Sequence, residues 1–321
     1  MLCMWQDLQF NSLLLFASQQ PMNMGWSRRD PGGVYTDMAI RLAESLSTAG
    51  KKLRVFTNDP ERLTALTGNR ARLLTPVMMS ADPKYPREMD FWAAHHKLNM
   101  IRQFGTEPWP NGMLDLDMIL TQTAATLRDK LEVPAPMQGW VYDISSQVFP
   151  AYTRRVVQGD LKNVGDESAF PNWYGGEFLL GVPEFFERLS AECDRVLLPY
   201  FEQYKGLHHV GDELVISAAI NACKRDFALG DAADSELVIR YWSSRPLHVQ
   251  PALAVLGGCA FWHLPDMKWA LSRDWIAHKP ERLVYALRLR KMLITLVYAM
   301  RMHKVLIALR GKFKPSKSTT S

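Results

Sequence analysis

The alternation of apolar and polar positions divides the chain into short strand-like runs and longer helical ones. Ser12-Leu13-Leu14-Leu15-Phe16-Ala17-Ser18 is an apolar run ending in small and polar residues, the pattern of a buried parallel strand emptying into a loop, here Gln19 to Gly33. From Thr36 to Thr48, Met38, Ala39, Leu42, Ala43 and Leu46 recur at helical spacing, and Gly50 stops the helix. Leu53 to Asn58 reads as the next strand. Strand, helix, strand in this rhythm predicts a right-handed crossover and a nucleotide-binding type of half-sheet, with ligands at the carboxyl ends of the strands. Those ends are Ala17-Ser18 and Thr57-Asn58-Asp59.

A second helix is expected over Asp90 to Phe104, with Phe91, Ala94, Leu98 and Ile101 on one face and Lys97 near its end. Gly112 to Leu120 reads as a strand, with Asp115 and Asp117 on one face and Leu114, Leu116 and Met118 on the other. Between Thr121 and Asn172 only Gly139–Tyr142 and Gln147–Val148 suggest strands, so the region reads as an insertion around the active site. Phe178 to Gly181 is a strand, Pro183 to Tyr204 a long amphipathic helix, and Gly211-Asp212-Glu213 opens another helix, Leu214 to Lys224. Leu237 to Trp242 and Ala252 to Phe261 are further strand candidates.

Composition narrows this picture. With 321 residues and 47% hydrophobic content the chain can bury a substantial core. Cys3, Cys193, Cys223 and Cys259 are widely spaced, which suggests neither structural zinc nor a disulfide framework and points to a reducing compartment. Met1 to Asn11 lacks the basic start of a signal peptide, and the longest uncharged piece of the tail, Met292 to Met300, falls short of the roughly twenty residues a spanning helix needs.

The net charge of +5 hides an asymmetry. All ten basic residues from Arg282 onward stand without an acid among them, leaving 28 basic against 33 acidic groups before them. The body is mildly acidic, which argues against nucleic acid. Leu283 to Leu309 has helical composition, and its basic residues scatter around the helix among Leu, Ile, Tyr and Met. Such a tail suits an anionic membrane surface; a solvated helix or a subunit contact in a homo-oligomer are the other readings.

The chemistry centres on Asp115-Leu116-Asp117. Two carboxylates on one face repel unless a cation neutralises them, and Mg2+ or Mn2+ prefers carboxylate oxygen while leaving room for phosphate. A half-exposed edge strand with two solvated acids is the plainer reading of the same triplet.

Four features in order resemble the GT-A class of nucleotide-sugar glycosyltransferases, most closely glycosyltransferase family 8, the group of glycogenin and lipopolysaccharide galactosyl- and glucosyltransferases. They are His96-Lys97-Leu98 with the Leu-Asp-Leu-Asp segment; Trp173-Tyr174-Gly175-Gly176-Glu177-Phe178; Gly211-Asp212-Glu213 opening a helix; and His263 to Trp269. Asn172 is displaced from the family's strand motif, and the interval from His263 to Lys268 is one residue shorter than in the family.

The resemblance implies an α/β, GT-A-like Rossmann-type mixed sheet flanked by helices over residues 1–275, with a basic helical tail over 276–321. It implies a retaining hexosyltransferase with Asp115, Asp117 and His263 holding Mn2+ or Mg2+. Ser18, Asn58, Lys97, Gly175 and Gly176 would bind the donor, a nucleoside diphosphate sugar and foremost a UDP-sugar, while Asp212, Glu213 and Lys268 serve catalysis. The acceptor would be a glycan or glycolipid of lipopolysaccharide or capsule type, and the enzyme cytoplasmic and peripheral on the inner face of the membrane.

Individual residues also have plainer roles: Lys97 as a solvated helix residue, Gly175-Gly176 as a tight turn, Asp212 as a helix cap, His263 as a bonded core histidine. Two other functions fit parts of the pattern. One is a haloacid-dehalogenase-like phosphatase with Asp115 as nucleophile, although a complete strand-helix-strand unit precedes that aspartate. The other is an inactive sugar-nucleotide-binding protein.

Overall fold

A computed structural model describes residues 4–16, 30–82, 84–85, 89–132, 137–147, 153–242, 252–273 and 280–312. In chain order the first elements are α1 (Met4–Asp7), β1 (Gln9–Leu13), α2 (Pro31–Ser47), β2 (Leu53–Thr57), α3 (Pro60–Thr67), β3 (Leu74–Met78), α4 (Trp92–His95), α5 (Lys97–Phe104), β4 (Asn111–Leu114) and β5 (Met118–Leu120). There follow α6 (Ala124–Leu131), β6 (Gly139–Asp143), α7 (Arg154–Asn163), β7 (Tyr174–Gly181), α8 (Pro183–Gln203), α9 (Asp212–Cys223), β8 (Leu229–Asp231), β9 (Val238–Arg240), β10 (Phe261–His263), α10 (Lys268–Leu271) and α11 (Pro280–Lys312).

The result is a mixed α/β structure. Seven strands form one sheet in the order β3-β2-β1-β4-β7-β6-β8, flanked by helices, and β5, β10 and β9 form a small second sheet. In the large sheet only β7 runs against its neighbours, β4 and β6. The chain builds outward from β1 through β2 to β3 and then returns to the other side of β1 with β4. The connections therefore diverge between β1 and β4, and in open α/β sheets the crevice at the carboxyl ends of such a pair is where ligands bind.

Local chemistry explains several boundaries. Asp30 accepts a hydrogen bond from Gly33 N and Pro31 opens α2, a capped start with proline where no donor is lost. Asp59 and Pro60 repeat the device at α3. The predicted helices over 36–48, 183–204 and 214–224 and the predicted strand at Leu53 are all found, each within a few residues apart from the earlier start of α2.

Other expectations need correction. The first strand is Gln9–Leu13, upstream of the expected Ser12–Ser18; Leu14 and Leu15 are buried beyond it, so the run marked burial and not strand limits. Ala17 and Ser18 lie outside the described residues. The helix expected over 90–104 breaks at His96, and Phe91 before it adopts left-handed backbone, φ 56°. The region 121–172 is not an insertion, because β6 within it is an interior strand of the large sheet, between β7 and β8. Gln147 lies in a bend, not a strand, and Val148 is outside the described residues. Leu253–Gly258 forms a 3-10 helix where a strand was expected, and β10 begins only at Phe261.

Within the tail, Pro280–Lys312 forms the helix α11. Leu283, Ala286 and Leu287 of α11 are buried against the body, whereas Met292, Leu293, Leu296, Val297, Tyr298 and Met300 are exposed. Among the described residues no helix is long and apolar enough to cross a membrane.

Candidate metal and diphosphate site

The expected continuous strand through Asp115 and Asp117 does not exist. Its chain leaves the large sheet after Leu114, makes a turn closed by Met118 N donating to Asp115 O (3.1 Å), and enters the small sheet as β5. Asp115 and Asp117 share a turn between two sheets instead of one strand face. Asp115 N donates to Glu177 O (3.0 Å), which ties the turn to β7.

The antiparallel register of β5 with β10 sets Met118 opposite His263. That pairing carries His263 to Asp117, whose Oδ1 lies 3.0 Å from Nε2, and the contact is reinforced by Leu264 N donating to Asp117 O (3.0 Å). Just past β10, Lys268 at the start of α10 donates to the other oxygen of Asp117. On the opposite side Lys97, the first residue of α5, is 8% exposed and makes three contacts. It stands 2.7 Å from Asp115 Oδ1 and 3.2 Å from Asp212 Oδ2, and donates to Gly176 O (3.0 Å).

Asp115, Asp117 and His263 each offer one ligand atom, and the three atoms lie within 4.8 Å of one another. Small side-chain movements would bring the three onto one divalent cation, whose usual ligands are carboxylate oxygens with an occasional imidazole. Charge also fits. Among the described residues, Asp115, Asp117, Glu177, Asp212 and Glu213 form ion pairs with Lys97, Lys268 and Arg240, five acids against three permanent cations when His263 is neutral. Two carboxylates and one imidazole suit Mn2+ better than an all-oxygen set would. Asp115, with 28% of its side chain exposed against 7% for Asp117, is the open side of the cluster.

Proton affinities reflect this excess. Burial lowers that of His263, but the charges of Asp117 and Glu177 outweigh it and raise the pKa to about 9. Burial raises Asp115 above the usual carboxylate range against the pull of Lys97, with Asp117 adding to the rise. Burial would raise Asp117 as well, yet Lys268 and His263 hold it well below that range. Lys97 is shifted upward because Asp115 and Asp212 overcome its desolvation.

The remaining expected residues fall into place as follows. Gly175 and Gly176 lie inside β7, not in a turn. A Cβ on Gly176 would stand 2.7 Å from Asp212 Oδ2, and one on Gly175 2.1 Å from Glu177 Oε2, so both positions need glycine to let carboxylates fold over the strand. Asp212 is the first residue of α9, whose cap is Gly211, and its negative charge faces Lys97 at the favourable end of the helix dipole. Glu213 accepts from Arg240 and stands 3.4 Å from His209 Nε2. Asn58 exchanges two hydrogen bonds with the Phe16 backbone, 2.8 and 2.9 Å, which pins the chain after β1 to the end of β2. Ser18 lies outside the described residues.

Three residues of this region had no role in the sequence reading. Glu177 bonds His263 Nδ1 (3.0 Å), Arg240 bonds Glu177 in a fork, and the Tyr35 ring lies 5.9 Å from the Lys268 ammonium. A carboxylate within the apolar β7 run and an arginine closing the apolar β9 run are the available signals, since buried charges are rare without partners. Tyr35 has none, being one aromatic on an ordinary helix. No protein-family model matches the chain, and no curated protein matches its sequence.

Proposed function

We propose that the protein is a divalent-cation-dependent glycosyltransferase that moves a sugar from a nucleoside diphosphate sugar to a glycan or glycolipid acceptor, on a GT-A-like fold resembling glycosyltransferase family 8. The observation that carries this reading is the meeting of Asp115, Asp117 and His263 with two lysines, beside the crevice where β1 and β4 diverge. Two acids, a histidine and two ammonium groups are what a site needs to take a diphosphate together with its cation.

Asp115, Asp117 and His263 would hold Mn2+ or Mg2+, which supplies neutralisation of the charge that develops on the leaving diphosphate. Lys268 stands on the far oxygen of Asp117, positioned to donate to the same diphosphate. Lys97, saturated by Asp115, Asp212 and Gly176 O, holds the two acids in place and is less free to act as a donor. Asp212, whose Oδ2 is buried and lacks a well-aligned hydrogen bond, can accept from a sugar hydroxyl at the start of α9. Gly175 and Gly176 keep side chains out of the same space.

The tail extends the reading to location. Past Arg290 the described part of α11 carries exposed apolar and basic side chains on all sides, which suits peripheral binding to the inner, anionic face of a membrane. The test is a donor screen with uridine, guanosine and thymidine diphosphate sugars, with and without Mn2+. Release of nucleoside diphosphate that requires both one donor and the cation is expected; phosphatase activity without sugar transfer would replace this reading with the alternative one.

A further inference from the structure

Beyond the cation ligands themselves, an ordered chain of buried charges runs away from His263. His263 Nδ1 faces Glu177 Oε1 at 3.0 Å, and an acid that only accepts requires that nitrogen to carry the proton. Arg240 Nε donates to Glu177 Oε1 at 2.6 Å and Nη2 to Oε2 at 2.5 Å, so both carboxylate oxygens are taken. The same Nη2 reaches Glu213 Oε1 at 2.5 Å. Glu177 is 1% exposed and Arg240 7%. Gly175 belongs to this arrangement, since a Cβ there would meet Glu177 Oε2 at 2.1 Å and Arg240 Nη2 at 3.0 Å. Strands β7, β9 and β10 thus each contribute one member, and α9 contributes Glu213.

Resting on the metal reading above, we propose that Glu177 is a positioning residue for the cation site: it accepts a hydrogen bond from His263 Nδ1–H and so leaves the Nε2 lone pair facing Asp115 and Asp117, while Arg240 locks it in that orientation. A histidine ligand with its second nitrogen unheld can rotate or present the wrong tautomer, and partners of this kind govern ligand basicity and aim. The fork from Arg240 also keeps Glu177 from swinging in as a fourth ligand, which would draw its charge away from His263. The glycine at 175 is the steric condition for the fork.

A thermodynamic cycle on Mn2+ binding, read from the electron-paramagnetic-resonance signal of the free ion, tests this without any assay of turnover. Glu177→Gln is expected to weaken binding about 10- to 100-fold. In a His263→Ala background the same substitution is expected to change nothing further, because the effect passes through the imidazole. Absence of Mn2+ binding by the unsubstituted protein would remove the metal reading itself. Binding that Glu177→Gln leaves unaltered, or effects of the two substitutions that multiply, would overturn the role of Glu177 and leave the metal reading standing. Should Glu177→Gln lack a native near-ultraviolet dichroism spectrum, Arg240→Lys in the two backgrounds takes its place. It keeps the charge and loses the fork, so a weakening confined to the background containing His263 supports the proposal and a weakening in both overturns it.

Discussion

His263 Nε2 lies 3.0 Å from Asp117 Oδ1 across 146 residues of chain, and without a cation that contact holds a proton. Burial acts against the charged imidazole, but Asp117 and Glu177 raise its pKa from 6.5 to about 9. The sign follows. The protonated form stabilises the cation-free protein fully below pH 6.5, and that contribution is lost as pH rises through about 9. A cation must displace the proton, so Mn2+ affinity should rise about tenfold per pH unit between these limits, with one proton released per ion. Calorimetry in buffers of different ionisation enthalpy measures both quantities; an affinity flat from pH 6.5 to 9 would contradict the assignment of His263.

The two acids should differ on substitution. Asp115→Ala leaves Lys97 with Asp212 and Gly176 O, so a native melting curve and a loss of Mn2+ binding of at least about 100-fold are expected. Asp117→Ala strands Lys268 as a buried charge and leaves His263 with Glu177 alone, and should cost about 3–5 kcal/mol of stability as well. Denaturant melts of both variants decide the point. Equal stability would mean that the Asp117 contacts are spread over other partners.

Lys268→Met removes a cation that competes at Asp117 and a donor for the diphosphate. Mn2+ should bind no more weakly than before, while kcat falls about 100- to 1000-fold with little change in KM. Steady-state kinetics with the preferred donor provides the test, and full activity would move the diphosphate contact to another residue.

Gly176→Ala is expected to lose turnover and about 1–3 kcal/mol of stability, since the new methyl must push Asp212 Oδ2 from 2.7 Å and with it the contact to Lys97. Gly257→Ala, which meets nothing within 4 Å, is the control. Equal melting temperatures for the two would show that α9 yields easily.

Two truncations separate the roles of the tail. A chain ending at Lys279 exposes the sites that Leu283 and Leu287 fill, each worth about 1.5–3 kcal/mol, and should be destabilised. One ending at Lys291 keeps them, removes six of the ten basic residues, and should fold normally but no longer sediment with anionic vesicles. Sedimentation of the full chain should decline as salt shortens the Debye length below about 10 Å. If the full and Lys291-ended chains partition alike, a subunit contact becomes the better account, which a mass measurement checks.

What the sequence determined by itself is the succession of elements near β1 and β2, the long helices at 183 and 214, the helical tail, and the residues whose charges need partners. Apolar spacing and caps settle such features because they depend on neighbours within a few positions. The Asp-x-Asp pair, His263 and Lys268 were legible as types that suit a cation, but their meeting was not. It required the turn that breaks 112–120 into two strands of different sheets, and the register of β5 against β10, both set by packing between segments over a hundred residues apart. The same holds for β6, which looked peripheral while its place was interior, and for Glu177 and Arg240. A buried acid and a buried arginine on separate strands declare only that each needs a partner; tertiary structure alone brings the two within 2.5 Å and sets the acid against one imidazole, because a charge buried between the sheets is costly unless it is paired.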